Sequence, residues 1–385
     1  MHAQSWLEPA LERAVQQYRG FHAAYATALG IPRSATHGRV HLVGPSDWTS
    51  GFVAGTFWYL FEATGDAALR AAAERWTLPL EDQQHQTGTH DVGFMLGSSF
   101  GHGLRLTGNA AYQPVLEQGA RSLATRFNPR VGALRSWDFG DWRFPVIVDN
   151  MMNLELLFLA TRLGAGAEYG DIAVRHARTT LRDHYRRDAS SYHLVDYDPA
   201  SGAVLSRETH QGLNDGSCWA RGQAWGLYGF TLTYRETREL AFLEHALAIA
   251  EFIVEHPDVP RDGVPYFDYD APRTAGVPAL RDASAAAITA SALYELAGYV
   301  DDARSRRYVA YADGALRTLS SAEYAAELGT NQHFLLRHSV GDYPRGTEVD
   351  AALDYADYYY VEALLRRRRF AGTSLFAAAR SRASV

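Results

Sequence analysis

Residues 150–165 read NMMNLELLFLATRLGA, a helix-length run whose apolar side chains fall on nearly every side of the helical wheel. A helix of that kind has no polar face to give to water, so it must be buried among other elements. The residue before it is an aspartate, Asp149, at the place where a helix has free N–H groups and a positive dipole end. A wholly buried helix opened by a carboxylate is the unit from which the rest of the chain is read.

The unit returns. FVAGTFWYLFEATGD from Phe52 and VGFMLGSSFGHGLRLTGN from Val92 share its all-round apolar character, and WARGQAWGLYGFTLTYRET from Trp219, ASAAAITASALYELAGYVD from Ala283 and YADYYYVEALLRRRR from Tyr355 bring the set to six. They recur at intervals of roughly 40 to 70 residues. Between them lie ALRAAAERWTLPLED, YQPVLEQGARSLATRF, DIAVRHARTTLRDHY, LAFLEHALAIAEFIVEH and DARSRRYVAYADGALRTL, whose charges gather on one side. Buried helices alternating with amphipathic ones, with few strand runs, predict an all-α fold, an (α/α)6 barrel of six helical hairpins. Residues 1–370 form one barrel domain in this reading, with 371–385 as a C-terminal extension. All inner helices then run the same way, and the loops entering them gather at one end.

Composition narrows the function. With 385 residues, 47% hydrophobic and 21% charged, the chain is long enough to bury a large core. A net charge of -7 argues against a nucleic-acid partner. There is no lysine, which excludes Schiff-base and P-loop chemistry. The single cysteine, Cys218, cannot form an internal disulfide or supply a zinc site, and neither a secretory leader nor a membrane span is read, so the expected location is the cytoplasm. The histidines show no metal-ligand spacing, and neither a metal nor another cofactor is expected.

The segments just upstream of the buried helices carry Trp48, His90 with Asp91, Trp137, Asp149, His210 with Gln211, Trp219 and Arg221, Arg281 with Asp282, and the stretch HSVGDYPRGTEVD from His338. Aromatic faces stack on a pyranose, polar groups take its hydroxyls, and a guanidinium pairs with a carboxylate, so this rim suits a sugar acid. Asp91 and Asp149 open neighbouring inner helices, and paired carboxylates are the usual acid and base of glycosidic chemistry. The competing role for each is that of a helix N-cap. Arg221 sits in the first turn of a buried helix and needs a partner or an anionic ligand. Core packing competes for Trp219 and Trp225, a satisfied structural role for the histidines, and RRRR at 366–369 reads as a solvated helix end.

These motifs resemble the unsaturated glucuronyl hydrolases, glycoside hydrolase family 88. The resemblance runs from about Trp48 to about Leu365, through WTSGFVAGTFWYLFEATGD, GTHDVGFML, VIVDNMMNLELLFLA, THQGLNDGSCWARGQAWGLYGFTLTYRET, RDASAAAITASALYEL and HSVGDYPRGTEVDAALDYADYYYVEALL. It implies the same barrel, with Asp149 as general acid/base and Asp91 as a second essential carboxylate. It also implies Trp48, His90, Trp137, His193, Thr209, Gln211, Arg221, Trp225 and Ser339 around the sugar. The implied substrate is an unsaturated oligosaccharide, at its smallest a disaccharide, left by a polysaccharide lyase. The implied reaction hydrates the C4=C5 bond of its terminal uronic acid. Alternatives are an unsaturated rhamnogalacturonyl hydrolase, an ordinary inverting glycosidase, an epimerase, or a binding protein that has lost catalysis. Oligomeric state and the preferred glycosaminoglycan are not read from these motifs.

Overall fold

The computed structural model describes residues 6–273 and 279–372. α1 (Leu7–Tyr25) leads into a hairpin of β1 (Ile31–Thr36) and β2 (Arg39–Val43), followed by α2 (Ser50–Thr64) and α3 (Ala67–Thr77). Next come α4 (Val92–Leu96), a π-helical turn (Gly97–Gly101), α5 (His102–Thr107) and α6 (Tyr112–Ala124). Short strands β3 (Phe127–Asn128), β4 (Ala133–Leu134) and β5 (Pro145–Ile147) precede α7 (Asn150–Arg162) and α8 (Ala167–Asp183). β6 (Leu194–Tyr197) and β7 (Val204–Glu208) precede α9 (Ala220–Thr237) and α10 (Leu240–Glu255). α11 (Ala283–Leu296) and α12 (Asp302–Leu319) follow, and β8 (Ser339–Asp342) and β9 (Thr347–Leu353) run into α13 (Asp354–Gly372).

Contacts between helices follow a circuit. α2, α4, α7, α9, α11 and α13 each lie against the next, and α13 returns to α2. α3, α6, α8, α10 and α12 cover α2, α4, α7, α9 and α11 in turn, and α1 lies against α13 and α2. Burial agrees with the sequence patterns: α11 is buried at nearly every position, whereas α8 and α12 bury one side. The covering role of α1 is not anticipated in the sequence reading, although Leu7, Leu11, Tyr18 and Phe21 bury one face of it.

The strands tie the circuit together. β1 pairs with β9 through Ser34 opposite Leu353 and Ala35 opposite Ala352, so the hairpin before α2 is joined to the hairpin before α13. β5, β6 and β7 form an antiparallel sheet in which Val146 faces Val195. That register has a chemical result, because it brings the segment ending in Asp149 alongside the segment carrying His193.

Two local readings are corrected. The helix from Val92 is interrupted at Gly97–Gly101, where the backbone widens to a π turn. Ser99 Oγ donates to the Met95 carbonyl there at 2.5 Å, a side-chain bond to the carbonyl one turn back of the kind that bends a helix. The arginine run is a solvated end only at Arg369; Arg366 and Arg367 are largely buried. Arg366 reaches Glu362 and Glu295, Arg367 makes a two-point pair with buried Asp313, and Arg369 pairs with Glu62. The ends of neighbouring helices stand close enough there to supply a carboxylate to each of these three guanidinium groups. Residues 373–385, most of the predicted extension, lie outside the described residues.

Candidate active site

Asp91 and Asp149 stand at the N-cap positions of α4 and α7, and neither side chain caps its helix. Elsewhere aspartates in this position do cap: Asp66 accepts from Ala68 N at 2.8 Å, Asp301 from Ala303 N and Arg304 N, each at 3.0 Å, and Asp282 from Ser284 N at 3.0 Å. Asp282, at the sequence-predicted rim, is therefore a structural cap. At α4 the free donor is met from outside, since Phe94 N donates to Asn153 Oδ1 of α7 at 2.7 Å. Asn153 thus takes over the capping of α4 and leaves Asp91 available.

Each free carboxylate faces a histidine. His90 Nε2 is 3.3 Å from Asp91 Oδ1, and His193 Nε2 is 3.4 Å from Asp149 Oδ2. The backbone N–H groups of His210 and Gln211 donate to His193 Nδ1 at 3.1 and 3.2 Å, which places the ring proton of a neutral imidazole on Nε2, toward Asp149. Val148 N donates to the His193 carbonyl at 3.0 Å, so the strand register holds this pairing.

The two carboxylates have opposite proton affinities. Burial pushes Asp91 up to about 7, helped by the negative charges of Asp149 and Asp47 and opposed by a Thr89 hydroxyl that donates at 2.6 Å. Burial also pushes Asp149 up, but the facing His193, with His90 and Arg221, outweighs it and holds Asp149 below the ordinary aspartate value. Burial drives His90 down to about 3, so it is neutral at physiological pH. The free protein therefore favours a carboxylate at Asp149 beside an Asp91 that keeps its proton well above the ordinary aspartate range.

Aromatic rings flank this pair. Trp137 stacks on exposed Phe139 at 5.0 Å, meets Trp142 edge-on at 5.7 Å, and has the His210 ring at 4.7 Å. Trp48 lies against Tyr355 and Phe94, with the Arg33 guanidinium over its ring at 5.6 Å. Thr209 and Gln211 lie on the loop around His193, with Gln211 Nε2 donating to the Gly341 carbonyl at 3.1 Å.

Other predicted residues lie deeper. Trp225 is fully buried between Phe94 and Tyr359. Ser339 is buried, and its Oγ accepts from Ser284 N at 3.2 Å. Arg221 is wholly buried, bonded to Asp282 at 3.2 Å and to the carbonyls of Val340 and Gly341, with its guanidinium 4.4 Å from the Trp219 ring centre. It braces the β8 strand and adds positive field at Asp149. Asn153, Thr89, Phe139 and Trp142 are missed by sequence reasoning. VDNMMN contains a signal for Asn153, one helical turn after Asp149, but its capping of a different helix requires the fold.

No protein-family model matches the chain. It is, however, 46% identical over 332 residues to an unsaturated glucuronyl hydrolase of Formosa agariphila, a match covering 86% of this chain and 82% of that one. The chain belongs to the unsaturated glucuronyl hydrolases. It is accordingly a glycosidase. A crystal structure of an unsaturated glucuronyl hydrolase specific for heparin superposes with a TM-score of 0.92 at 49% identity, covering 97% of this chain and 99% of that one. The unsaturated glucuronyl hydrolase from Bacillus sp. GL1, described as responsible for glycosaminoglycan degradation, superposes at 0.86 with 31% identity, covering 93% of this chain and 97% of that one. The helix-rich fold is that of the family. Among the described residues no helix is long and apolar enough to cross a membrane.

Proposed function

We propose that this hydrolase removes the unsaturated uronic acid from the non-reducing end of lyase-generated glycosaminoglycan oligosaccharides by hydrating its C4=C5 bond, inside an (α/α)6 barrel. The return of α13 to α2 and the outer layer of α1, α3, α6, α8, α10 and α12 support the barrel. The observation that carries the chemistry is the pair of aspartates, Asp149 buried and Asp91 partly exposed, released from capping duty and faced by histidines.

In this reading Asp149 is the acid/base. An anionic substrate that displaces water beside Asp149 raises its proton affinity, so it enters the reaction protonated. Its proton goes to C4, positive charge develops at C5, and the oxygen of a water bonds there while the water's proton returns to Asp149. The resulting C5 hemiketal opens, C1 is left as a hemiacetal, and its collapse releases the remaining saccharide. Asp91 and His90 hold ring hydroxyls, Trp137 and Trp48 flank the ring, and Gln211, Thr209 and His193 line the opposite side. Arg221, Trp225 and Ser339 support this wall from beneath. The scheme calls on no cofactor. The single buried cysteine suits a reducing compartment, and we place the reaction in the cytoplasm.

A second reading rests on the proton affinities themselves: Asp91 donates the proton and Asp149 accepts one from water. Loss of the unsaturated uronate's ultraviolet absorbance, followed on heparin- and chondroitin-derived disaccharides, tests both. Wild type is expected to bleach the signal and folded Asp149→Asn to fall by about 10²–10⁴-fold. Asp91→Asn retaining measurable turnover assigns the donor to Asp149. Equal loss in the two variants, with the alkaline limb of the pH profile abolished in Asp91→Asn, assigns it to Asp91. A wild type that leaves the absorbance unchanged defeats the hydration scheme.

A further inference from the structure

Behind the wall that carries Trp137 lies a second cleft, of about 600 Å³, unused by the scheme above. Its lining brings together Arg126, Arg130, Arg135 and Arg143, with Asp138 as its one lining carboxylate among the described residues. Asp138 is shared: Arg126 holds it through two nitrogens at 3.0 Å each, and Arg135 Nη1 lies 3.1 Å from it. Arg143, half exposed, pairs with Asp198 at 2.6 Å, and exposed Arg130 makes no ion pair among the described residues. Even with Asp198 counted, four guanidinium groups meet two carboxylates, in a chain whose net charge is -7.

Arg135 is about a third exposed and turns Nη1 toward Asp138, while its Nε is buried with no hydrogen-bond partner among the described residues. Thr87 also lines the cleft, while the Thr125 hydroxyl and the Asn128 amide are bonded to the backbone and shape its wall. The cleft also shares its frame with the active site. Arg126 bonds the carbonyls of Thr87 and Arg135, so it fastens the strand leading to His90 and Asp91 to the strand leading to Trp137. His90 N donates to the Ser136 carbonyl at 3.0 Å on the same seam.

We propose that this arginine cleft is a second saccharide site, which holds a sulfated unit of a glycosaminoglycan outside the catalytic centre. Guanidinium forks match the paired oxygens of sulfate, and a site of this kind retains long, charged chains near the centre without entering the reaction. The choice of saccharide rests on the glycosaminoglycan reading above. The cleft itself does not.

The experiment uses a heparin tetrasaccharide saturated at its non-reducing end, which has no C4=C5 bond to hydrate, with hyaluronan tetrasaccharide and inorganic sulfate as companion probes in calorimetry. The heparin fragment is expected to bind wild type and Asp149→Asn alike, with affinity falling steeply as salt rises. Arg130→Ala/Arg143→Ala is expected to raise its Kd roughly tenfold or more while leaving turnover of an unsaturated disaccharide unchanged. Equal binding of the heparin fragment by this double variant and wild type overturns the proposal, as does hyaluronan binding as tightly as heparin. So does sulfate binding with no binding of the heparin fragment. Failure of the hydration scheme shows separately, as unchanged ultraviolet absorbance with wild type.

Discussion

Asp91 and Asp149 begin successive inner helices, yet one is pushed to about 7 and the other held below the ordinary aspartate value. Asp149 is buried and Asp91 mostly so; what separates them is that His193, His90 and Arg221 together hold Asp149 down, whereas Asp91 has the charges of Asp149 and Asp47 added to its own desolvation. Activity that needs a protonated Asp91 should fall as pH rises through about 7, seen as the alkaline limb of kcat/KM. His90, at about 3, cannot be the source of that limb, so His90→Gln should lower the rate and leave the limb in place. Stability carries the same signature. Asp91 keeps its proton more tightly in the folded chain, so its favourable contribution is complete below about pH 4, the ordinary aspartate range, and is lost as pH rises to about 7. Asp91→Asn should therefore melt higher than wild type at pH 8, with the gap closing toward pH 4 in thermal denaturation.

The contact between α4 and α7 governs whether those carboxylates are available. Asn153 supplies the acceptor that Phe94 N needs, and Gly93 lies so close that an added Cβ would sit 2.7 Å from Asn153 Cα. Asn153→Ala would leave the α4 amide without a partner and make Asp91 the nearest replacement, at a cost of about 1–3 kcal/mol. We expect it to lose most activity while staying folded, a result that urea denaturation and turnover on the same sample would separate. Gly93→Ala forces the two helices apart and should cost about 1–3 kcal/mol by overpacking, with activity falling further than stability alone explains. If both variants keep wild-type turnover, the release of Asp91 from capping is not what makes the site.

Across the whole molecule, the circuit of helices is braced by one buried carboxylate. Glu362 of α13 accepts from Tyr59 of α2 at 2.6 Å, from Tyr228 of α9 at 2.9 Å and from Ser291 of α11 at 2.6 Å, and Arg366 pairs with it at 3.2 Å. Removing it strands several buried donors and a cation, so Glu362→Ala should destabilise the fold by about 3–5 kcal/mol. The loss should appear in one cooperative unfolding transition, because the brace joins helices far apart in sequence. A separate early transition would show that α13 melts independently.

The sequence alone determined the six buried helices, their five amphipathic partners from α3 onward, and the aspartates at the heads of α4 and α7, because periodicity and all-round apolarity are local properties of a chain. It could not distinguish a capping aspartate from a free one. Asp282 and Asp91 precede equally apolar segments, and their roles are separated by the folded backbone, extended at Asp282 and not at Asp91, and by the approach of Asn153 from another helix. Nor could it foresee that Arg221 would be occupied by Asp282 and two carbonyls, or that the terminal arginines would meet Glu62, Glu295, Glu362 and Asp313. Those outcomes depend on which groups the folded chain brings within hydrogen-bond reach, and in a buried site such partners set both the charge and the availability of a side chain.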